Sequence, residues 1–264
     1  MTLATLGKMA QRQQAFACLT CYDSSTARHL AAAGVHVLLV GDTAAEMVLG
    51  FSRTIDMNLD VLLALTAGVK RGCGAASVVM GDMPFMSYQA SPDDAVRNAG
   101  RFLTEGLADI VKLEVDAHFA PLVERMVRAG VPICGHIGSR PQRAAITSGY
   151  SSAGRTAESA ESVVRDAVAM EAAGCSMLLV EAVPEAVTER ILKATKVPLI
   201  GIGAGPACHG QVLVLHDVLG LSDRPPAFAK PLANLGEQIQ TAGREWVEIV
   251  AARKSGSSPY TMKS

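Results

Sequence analysis

The chain alternates short apolar runs with longer segments in which apolar positions recur at helical spacing. Eight runs of five or six residues are rich in Val, Ile and Leu and are bounded by Gly, Pro or polar residues, which predicts buried β-strands. The predicted strands cover residues 16–20, 35–40, 76–80, 109–114, 132–136, 176–181, 198–203 and 212–217. Strands alternating with helices predict one α/β domain over residues 1–264. Eight strands favour a closed (β/α)8 TIM barrel over an open doubly wound sheet.

Several predicted helices carry recognisable start and stop signals. Ser91 precedes Pro92 and two aspartates, as expected of an N-cap residue followed by proline in the first turn. Thr156 begins a second such segment, which ends at Gly174. Residues 230–256 predict a C-terminal helical segment that leads into a polar tail.

Carboxylate residues recur at the ends of the predicted strands. Asp42 and Asp82 lie just beyond the second and third strands, and Glu114 and Glu181 end the fourth and sixth. In a parallel barrel the C-terminal ends of all strands meet at one mouth, where active sites form. A carboxylate there reaches solvent, whereas an unpaired one buried in mid-strand is costly. The pattern therefore predicts an acidic site at the mouth of the barrel.

The fourth predicted strand places two charged side chains on one face. Alternate residues of a strand point to opposite sides, so Lys112 and Glu114 share one face while Val111 and Leu113 share the other. We expect the apolar pair to pack against the helices. Lys112 and Glu114 then face the barrel mouth.

Asp42, Asp82 and Glu114 form an all-oxygen set on three neighbouring strands. Neighbouring strands lie about 4.8 Å apart, so these side chains can converge on one small site. Such a set suits Mg²⁺, which binds a few carboxylates and retains positions for water and substrate. Two alternatives stay open for any single acid, because Asp42 alone could cap a helix or form a salt bridge.

Other polar residues near strand ends give weaker signals. His136, at the end of the fifth strand, could donate to a substrate oxygen, although a lone histidine is more often structural. His216, at the end of the eighth strand, favours a structural role. The glycines of 201–205 predict a tight turn, because a later glycine of the dinucleotide fingerprint is missing. Cys18 and Cys21 have redox or zinc spacing, but no second pair accompanies them, so a reduced pair is favoured.

Composition narrows the expected partners and compartment. With 264 residues, 49% of them hydrophobic, the chain can bury a large core. The 24 basic and 25 acidic residues give a net charge of -1, and aromatic residues make up only 4%, which argues against a nucleic-acid or membrane partner. The six cysteines are too sparse for a disulfide scaffold, and the first residues have no apolar signal-peptide core. We expect a cytoplasmic location.

A set of short motifs occurs in a fixed order between Tyr22 and Lys230. They read "VGDT", "GDMPFMSY", "VKLE", "VPICGHIGSRPQ", "LLVEAVP" and "GIGAGPACHGQVLVLHD". Together these motifs resemble the ketopantoate hydroxymethyltransferase family of the phosphoenolpyruvate/pyruvate superfamily. The resemblance implies a (β/α)8 barrel that assembles as a homo-oligomer, generally a decamer. It also implies Mg²⁺-dependent transfer of a hydroxymethyl group from 5,10-methylenetetrahydrofolate to 3-methyl-2-oxobutanoate, a step of pantothenate biosynthesis that gives 2-dehydropantoate.

The resemblance assigns a role to each strand-end residue. Asp42, Asp82 and Glu114 fall on the magnesium-site acids of the family. Asp42, Thr43, Asp82 and Lys112 fall on positions that hold the 2-oxo acid.

The resemblance covers two further positions, and the sequence also departs from the family pattern at several others. Glu181 falls on the proton acceptor, and His136 falls on a histidine near the substrate. Thr43 replaces a serine, and His209 stands where aspartate is common. The segment 51–65 also departs from the family pattern, which raises the alternative of a divergent paralogue acting on another 2-oxo acid.

Three other functions remain possible at this point. A related Mg²⁺-dependent lyase would cleave a C–C bond through the same enolate. A Schiff-base aldolase would use Lys112 as its nucleophile. A non-catalytic 2-oxo-acid-binding protein is disfavoured, because a binder has no need of the base Glu181.

Overall fold

Eight parallel strands close into a barrel in their order along the chain. The computed structural model describes residues 1–147, 149 and 151–261, so residues 262–264 of the predicted polar tail lie outside the described residues. The strands are β1 Phe16–Thr20, β2 Val37–Val40, β3 Val78–Asp82, β4 Ile110–Glu114, β5 Ile133–Gly138, β6 Met177–Glu181, β7 Leu199–Ile202 and β8 Gly210–Leu213. The predicted (β/α)8 TIM barrel is confirmed.

The chain divides into two compact units, residues 1–213 and 214–264. The α-helices of the first unit are α1 Leu3–Gln11, α2 Ser24–Ala32, α3 Ala44–Met47, α4 Leu59–Cys73, α5 Pro92–Thr104, α6 Ala120–Arg128, α7 Ala144–Thr147, α8 Ala157–Ala172 and α9 Glu185–Ala194. Short 3₁₀-helices cover Thr54–Asp56, Ala117–Phe119 and Pro141–Arg143. The single domain over residues 1–264 stays a prediction.

The predicted start signals of α5 and α8 are confirmed. The Ser91 hydroxyl accepts a hydrogen bond from the Asp94 backbone N–H, and Pro92 follows in the first turn. The Thr156 hydroxyl accepts from the Ser159 N–H in the same way. Gly174 has a φ of 96° just after α8, a left-handed conformation that glycine adopts without steric cost.

The prediction for the eighth strand is wrong in its position. The apolar run 212–217 predicts a strand over its whole length, but β8 begins at Gly210 and ends at Leu213. A Cβ atom at residue 210 would lie 2.3 Å from Phe16 Cε2, so the close pairing of β8 with β1 requires glycine there. His216 lies in the short helix that follows, and not at a strand end. Glycine is a poor strand former, so Gly210 does not mark the start of β8 in the sequence. The apolar run continues past Leu213 and so hides the end of the strand.

The alternation of side chains along the strands separates two apolar clusters. Residues such as Val37 and Leu39 face the barrel interior, which α1 joins through Leu6 and Met9. The intervening residues pack with the helices in a second, larger cluster. Val111 and Leu113 belong to this second cluster, as predicted. Lys112 and Glu114 therefore face the interior at the end of β4.

Over its described residues, 214–261, the second unit contains two helices, α10 Leu215–Val218 and α11 Leu235–Ala251. Within this unit, the backbone N–H groups of Leu232 and Leu235 donate to the carbonyls of Val218 and Leu219. Helix α11 lies within the predicted C-terminal helical segment, residues 230–256. No helix of the described residues is both long and apolar enough to cross a lipid bilayer.

Candidate active site

The predicted site residues meet at the C-terminal mouth of the barrel. They all lie within three residues of the C-terminal ends of five consecutive strands, β2 to β6, with Lys112 and His136 each two residues before the end of their strand. Asp82, at the end of β3, is opposite Lys112 in β4, and Glu114 is opposite His136 in β5. The barrel therefore brings together side chains that are far apart in sequence. The acids of β2, β3 and β4, together with Lys112 and His136, are all buried.

Asp82 and Lys112 form a buried ion pair at the centre of the mouth. Lys112 Nζ lies 2.8 Å from Asp82 Oδ1, and the two side chains are 6% and 1% exposed. The other carboxylate oxygen, Asp82 Oδ2, accepts a hydrogen bond of 3.1 Å from the backbone N–H of Asp42. Asp82 Oδ1 has no hydrogen bond of good geometry among the described residues. Its charge is balanced by Lys112, yet the atom retains capacity for another ligand.

Asp42 does not cap a helix, which removes one alternative raised by the sequence. The residue at the N-cap of α3 is Thr43, and its side chain makes no capping bond. The Thr43 hydroxyl instead accepts a hydrogen bond of 3.2 Å from the hydroxyl of Tyr22. Asp42 Oδ2 accepts a hydrogen bond of 3.0 Å from the side-chain amide of Gln142.

Gln142 is a residue of this site that the sequence did not single out. It lies in the 3₁₀-helix after β5 and is 3% exposed. Its backbone N–H donates to Glu114 Oε2 at 3.0 Å, so one residue contacts both Asp42 and Glu114. The only signal in the sequence is the "SRPQ" end of one family-like motif, and no spacing rule connects it to an acid 100 residues away.

His136 connects the lysine to the predicted base. His136 Nδ1 lies 3.4 Å from Lys112 Nζ, and His136 Nε2 lies 3.2 Å from Glu181 Oε2. Because a protonated lysine has only donors, Nδ1 must act as acceptor, which leaves the proton of a neutral imidazole on Nε2. Although Nε2 is close to Glu181, it makes no hydrogen bond of good geometry within the described residues. The Glu181 side chain is 23% exposed and so reaches the open mouth.

Burial dominates the electrostatics of this group. Burial raises the pKa of Asp82 to about 7 even though the charge of Lys112 opposes the shift. Burial likewise raises the pKa of Glu114 well above its ordinary value, again against Lys112. For Lys112 the neighbouring carboxylates outweigh burial, and its pKa is raised. Burial and the charge of Lys112 both lower the pKa of His136, which favours the neutral imidazole.

The carboxylates offer a divalent cation the right kind of donor atoms. Asp42, Asp82 and Glu114 supply only oxygen ligands, and in the described part of the chain the buried Asp82 Oδ1 has Lys112 Nζ, at 2.8 Å, as its ion-pair partner and no hydrogen bond of good geometry. As placed, however, no three His, Cys, Asp or Glu side chains in the described part of the chain are grouped closely enough to hold a metal ion. Mg²⁺ often takes only one or two carboxylates and completes its shell with water and substrate, so the pair of aspartates suffices chemically.

A pocket of about 280 Å³ opens beside Glu114 and Gln142. Its remaining walls are mainly aromatic and aliphatic, with two arginines, and consist of Phe85, Tyr88, Gln89, Phe119, Arg140, Arg143 and Ile146. Both arginines contact the carboxylate of Asp116, at 2.5 and 3.3 Å. The pocket therefore combines flat apolar surfaces with positive charge next to the acidic centre.

Three other sequence features take structural roles. All six cysteines are free, and burial raises the pKa of Cys21 to about 11, which disfavours the reactive thiolate. His209 Nδ1 accepts a hydrogen bond from the backbone N–H of Leu199. Gly203 and Gly205 have φ values of 59° and 79°, as the predicted tight turn requires.

The architecture matches solved structures of one group of α/β-barrel enzymes. A phosphoenolpyruvate phosphomutase from Streptomyces platensis subsp. rosaceus superposes with a TM-score of 0.64 at 14% identity, covering 97% of this chain and 89% of that one. A 2,3-dimethylmalate lyase, described as a member of the PEP mutase/isocitrate lyase superfamily, gives 0.61 at 17% identity, covering 99% and 92%. At such low identity these likenesses establish the fold alone: the chain is an α/β barrel similar in architecture to those of the two enzymes.

Sequence relatives identify the family. The family model for ketopantoate hydroxymethyltransferase matches residues 1–257. Proteins named 3-methyl-2-oxobutanoate hydroxymethyltransferase are 46% identical in Syntrophobacter fumaroxidans and 44% in Thermobifida fusca. The aligned regions cover 88% and 96% of this chain, and 82% and 90% of the relatives. The chain belongs to the ketopantoate hydroxymethyltransferase family, which confirms the resemblance and the predicted class of enzyme.

Proposed function

We propose that the chain transfers a hydroxymethyl group from 5,10-methylenetetrahydrofolate to 3-methyl-2-oxobutanoate, giving 2-dehydropantoate. The observation that carries the proposal is the arrangement of the mouth. Asp42, Asp82 and Lys112 form an ionic centre on one side, and Glu181 reaches the same opening from β6 on the other. An oxo acid held at that centre presents its C3–H bond to a base that comes from a different strand.

Mg²⁺ is the proposed cofactor, with Asp42, Asp82 and Glu114 as the residues that would hold it. The bound ion would supply positive charge that stabilises an enolate of the oxo acid. Thr43 provides a hydroxyl beside Asp42, where it contributes to holding the oxo acid. Three carboxylates are a costly group to bury, and a divalent cation together with Lys112 offsets that cost.

Lys112 acts as a fixed positive charge. Its ammonium is buried and paired with Asp82 at 2.8 Å, so it remains protonated and places its charge near the substrate oxygens. A Schiff-base aldolase requires the neutral amine as nucleophile. The raised pKa of Lys112 disfavours that form, and the Schiff-base alternative is not adopted.

Glu181 acts as the general base, and His136 lies beside it. Water cleaves the two C–N bonds that hold the methylene group, giving tetrahydrofolate and formaldehyde. The carboxylate takes the C3 proton, and the C3 electron pair attacks the formaldehyde carbon. The formaldehyde oxygen takes up a proton and becomes the new hydroxyl group. His136 Nε2 lies 3.2 Å from Glu181 Oε2, so a neutral imidazole stands beside one oxygen of the proposed base.

The folate is the proposed partner of the pocket beside Glu114. A pterin ring is flat and heteroaromatic, and the walls Phe85, Tyr88 and Phe119 suit such a ring. Arg143, which is exposed at the pocket edge, offers charge to the acidic tail of the folate.

Exchange of the C3 hydrogen tests the role of Glu181 directly. In D₂O with Mg²⁺ and 3-methyl-2-oxobutanoate but no folate, the wild type should incorporate deuterium at C3. The Glu181→Gln variant should lose about 10²- to 10⁴-fold in exchange rate, as is usual when a general base is removed. Glu189→Gln, an exposed glutamate of α9, is the matched control and should exchange normally. Wild-type exchange in Glu181→Gln would show that another group is the base.

A full assay tests the proposed substrates. Product formation should require Mg²⁺ and methylenetetrahydrofolate and should be faster with 3-methyl-2-oxobutanoate than with unbranched or larger 2-oxo acids. Preference for another oxo acid would instead support the divergent paralogue suggested by the segment 51–65.

The proposal extends to assembly and location. Helix α11 exposes Ile239, Trp246 and Val250 by 50% or more, an apolar surface of the kind that subunit contacts cover. We propose a homo-oligomer, a decamer by family resemblance, whose mass in sedimentation would be ten times 27.5 kDa. Six free cysteines suit a reducing compartment, in keeping with a cytoplasmic enzyme.

A further inference from the structure

Gln142 is hydrogen-bonded through every polar atom of its side chain. Nε2 donates to Asp42 Oδ2 at 3.0 Å and to the Met83 carbonyl at 2.9 Å. Oε1 accepts from the Tyr88 hydroxyl at 2.9 Å and from Gln89 Nε2 at 3.3 Å. These partners fix the orientation of the amide, because the reversed amide would place Oε1 against the Asp42 carboxylate.

The same residue also fixes the second acid through its main chain. The Gln142 N–H donates to Glu114 Oε2, and the Tyr88 hydroxyl lies 3.0 Å from the Glu114 carbonyl. Asp42 and Glu114 come from β2 and β4, with β3 between them, so no strand pairing relates them directly. Gln142 is thus a bridge across the mouth between two acids that the sheet alone does not align.

The bridge determines which oxygens remain available. Asp42 Oδ2 and Glu114 Oε2 are occupied by Gln142, so Asp42 Oδ1 and Glu114 Oε1 are the oxygens left for a ligand. A neutral amide donor is suited to this task. It satisfies one oxygen of Asp42 without bringing a second positive charge that would compete with a cation.

We propose that Gln142 is a positioning residue that orients Asp42 and Glu114 for Mg²⁺, and that Tyr88 holds it in place. The inference rests on the proposed function, because it assumes that these acids bind the ion. It assigns Gln142 no contact with the reacting atoms.

Calorimetric titration of the purified full-length protein with MgCl₂, without substrates, tests the proposal. Gln142→Met keeps the side-chain length and the backbone bond to Glu114 but removes the amide. Its Mg²⁺ dissociation constant should rise about 10- to 100-fold, the usual effect of losing a residue that orients metal ligands. The Mg²⁺ dissociation constant of Gln142→Glu should rise at least as far, because the glutamate replaces the amide donor with an acceptor facing Asp42. Tyr88→Phe, which leaves Gln142 intact, should show a smaller rise in the same direction.

Matched controls separate positioning from general destabilisation. Gln11→Met and Gln11→Glu alter an exposed glutamine at the end of α1 and should bind Mg²⁺ as the wild type does. Thermal unfolding in EDTA measures the structural effect of each variant apart from the metal. A lower melting temperature in Gln142→Met with unchanged Mg²⁺ affinity would overturn the proposal. If Gln142→Met does not fold, unchanged affinity in Tyr88→Phe would overturn it equally.

The wild type distinguishes failure of this inference from failure of the proposed function. A wild-type protein that bound no Mg²⁺ and exchanged C3 hydrogen without it would refute both. Wild-type binding and exchange that depend on Mg²⁺, together with unchanged affinity in the Gln142 and Tyr88 variants, would refute the positioning role alone.

Discussion

Removing the ammonium of Lys112 should destabilise the folded protein in a way that depends on pH. In Lys112→Met the side chain keeps its approximate length, but the carboxylate of Asp82 loses the cation 2.8 Å away. Asp82 is 1% exposed, so water cannot replace that charge. Breaking a buried ion pair by removing one partner costs about 3–5 kcal/mol.

The pKa of Asp82 sets the pH range in which this loss develops. In the wild type, burial raises this pKa from 3.8 to about 7 despite the opposing charge of Lys112. A carboxyl with a raised folded pKa destabilises the folded state progressively as pH rises from the unfolded value to the folded one. Above the folded pKa the effect becomes constant. Without Lys112 the pKa of Asp82 rises further, so in the variant the destabilisation continues beyond pH 7.

The additional loss can be estimated from this difference. Between pH 7 and pH 9 the variant should lose about 1.4 kcal/mol per pH unit relative to the wild type, or about 3 kcal/mol in all, if Asp82 stays protonated throughout. Below pH 6 Asp82 is protonated in both proteins, and their difference in stability should be smallest.

Urea unfolding of both proteins at pH 6 and pH 9, in EDTA and without substrate, measures this difference. The same measurement in an Asp82→Asn background is the control, because the titrating group is then absent. There the pH dependence of the Lys112→Met effect should fall by at least half, with Glu114 accounting for the remainder. A destabilisation of Lys112→Met that is equal at pH 6 and pH 9 would refute the reasoning.

Two further predictions concern packing and thiol chemistry. Gly81→Ala should lower the free energy of unfolding by about 1–3 kcal/mol, because its Cβ would lie 2.4 Å from Phe102 Cδ1. In urea unfolding, a Gly81→Ala/Phe102→Leu double variant should recover part of this loss. A Gly81→Ala variant as stable as the wild type would contradict this packing. Burial raises the pKa values of Cys18 and Cys175, in the latter case to about 12. These thiols should therefore react with a disulfide reagent at pH 8 only after the protein unfolds. Rapid labelling of either cysteine in the native protein, detected by mass spectrometry, would contradict this prediction.

The fold and the acidic residues of the site were predictable because their signals are local. Each strand is a short apolar run, and Lys112 and Glu114 alternate with apolar residues on β4. Because all strands of a parallel barrel end at the same mouth, the residues at their C-terminal ends meet there, whatever sequence separates the strands. The sequence was therefore sufficient to predict that these side chains face the same opening.

The remaining features depend on contacts that local patterns do not encode. The role of Gln142 arises from a 3₁₀-helix folding over the mouth, and its amide meets a carboxylate 100 residues earlier in the chain. The contact of His136 with Glu181 likewise depends on the register of β5 against β6. The limits of β8 were missed because Gly210 owes its place to the ring of Phe16, a tertiary contact.

The bridge made by Gln142 also bears on how the protein acquires activity. Its partners lie on the segments that follow β2 and β3 and at the last residue of β4, while Gln142 itself follows β5. Contacts between residues so distant in sequence form late, after the entropy of closing long loops has been overcome. The centre thus requires β2 to β5 and the segment after β5 to be in place, and a nascent chain that has formed only its first strands carries the acids without the geometry that makes them useful.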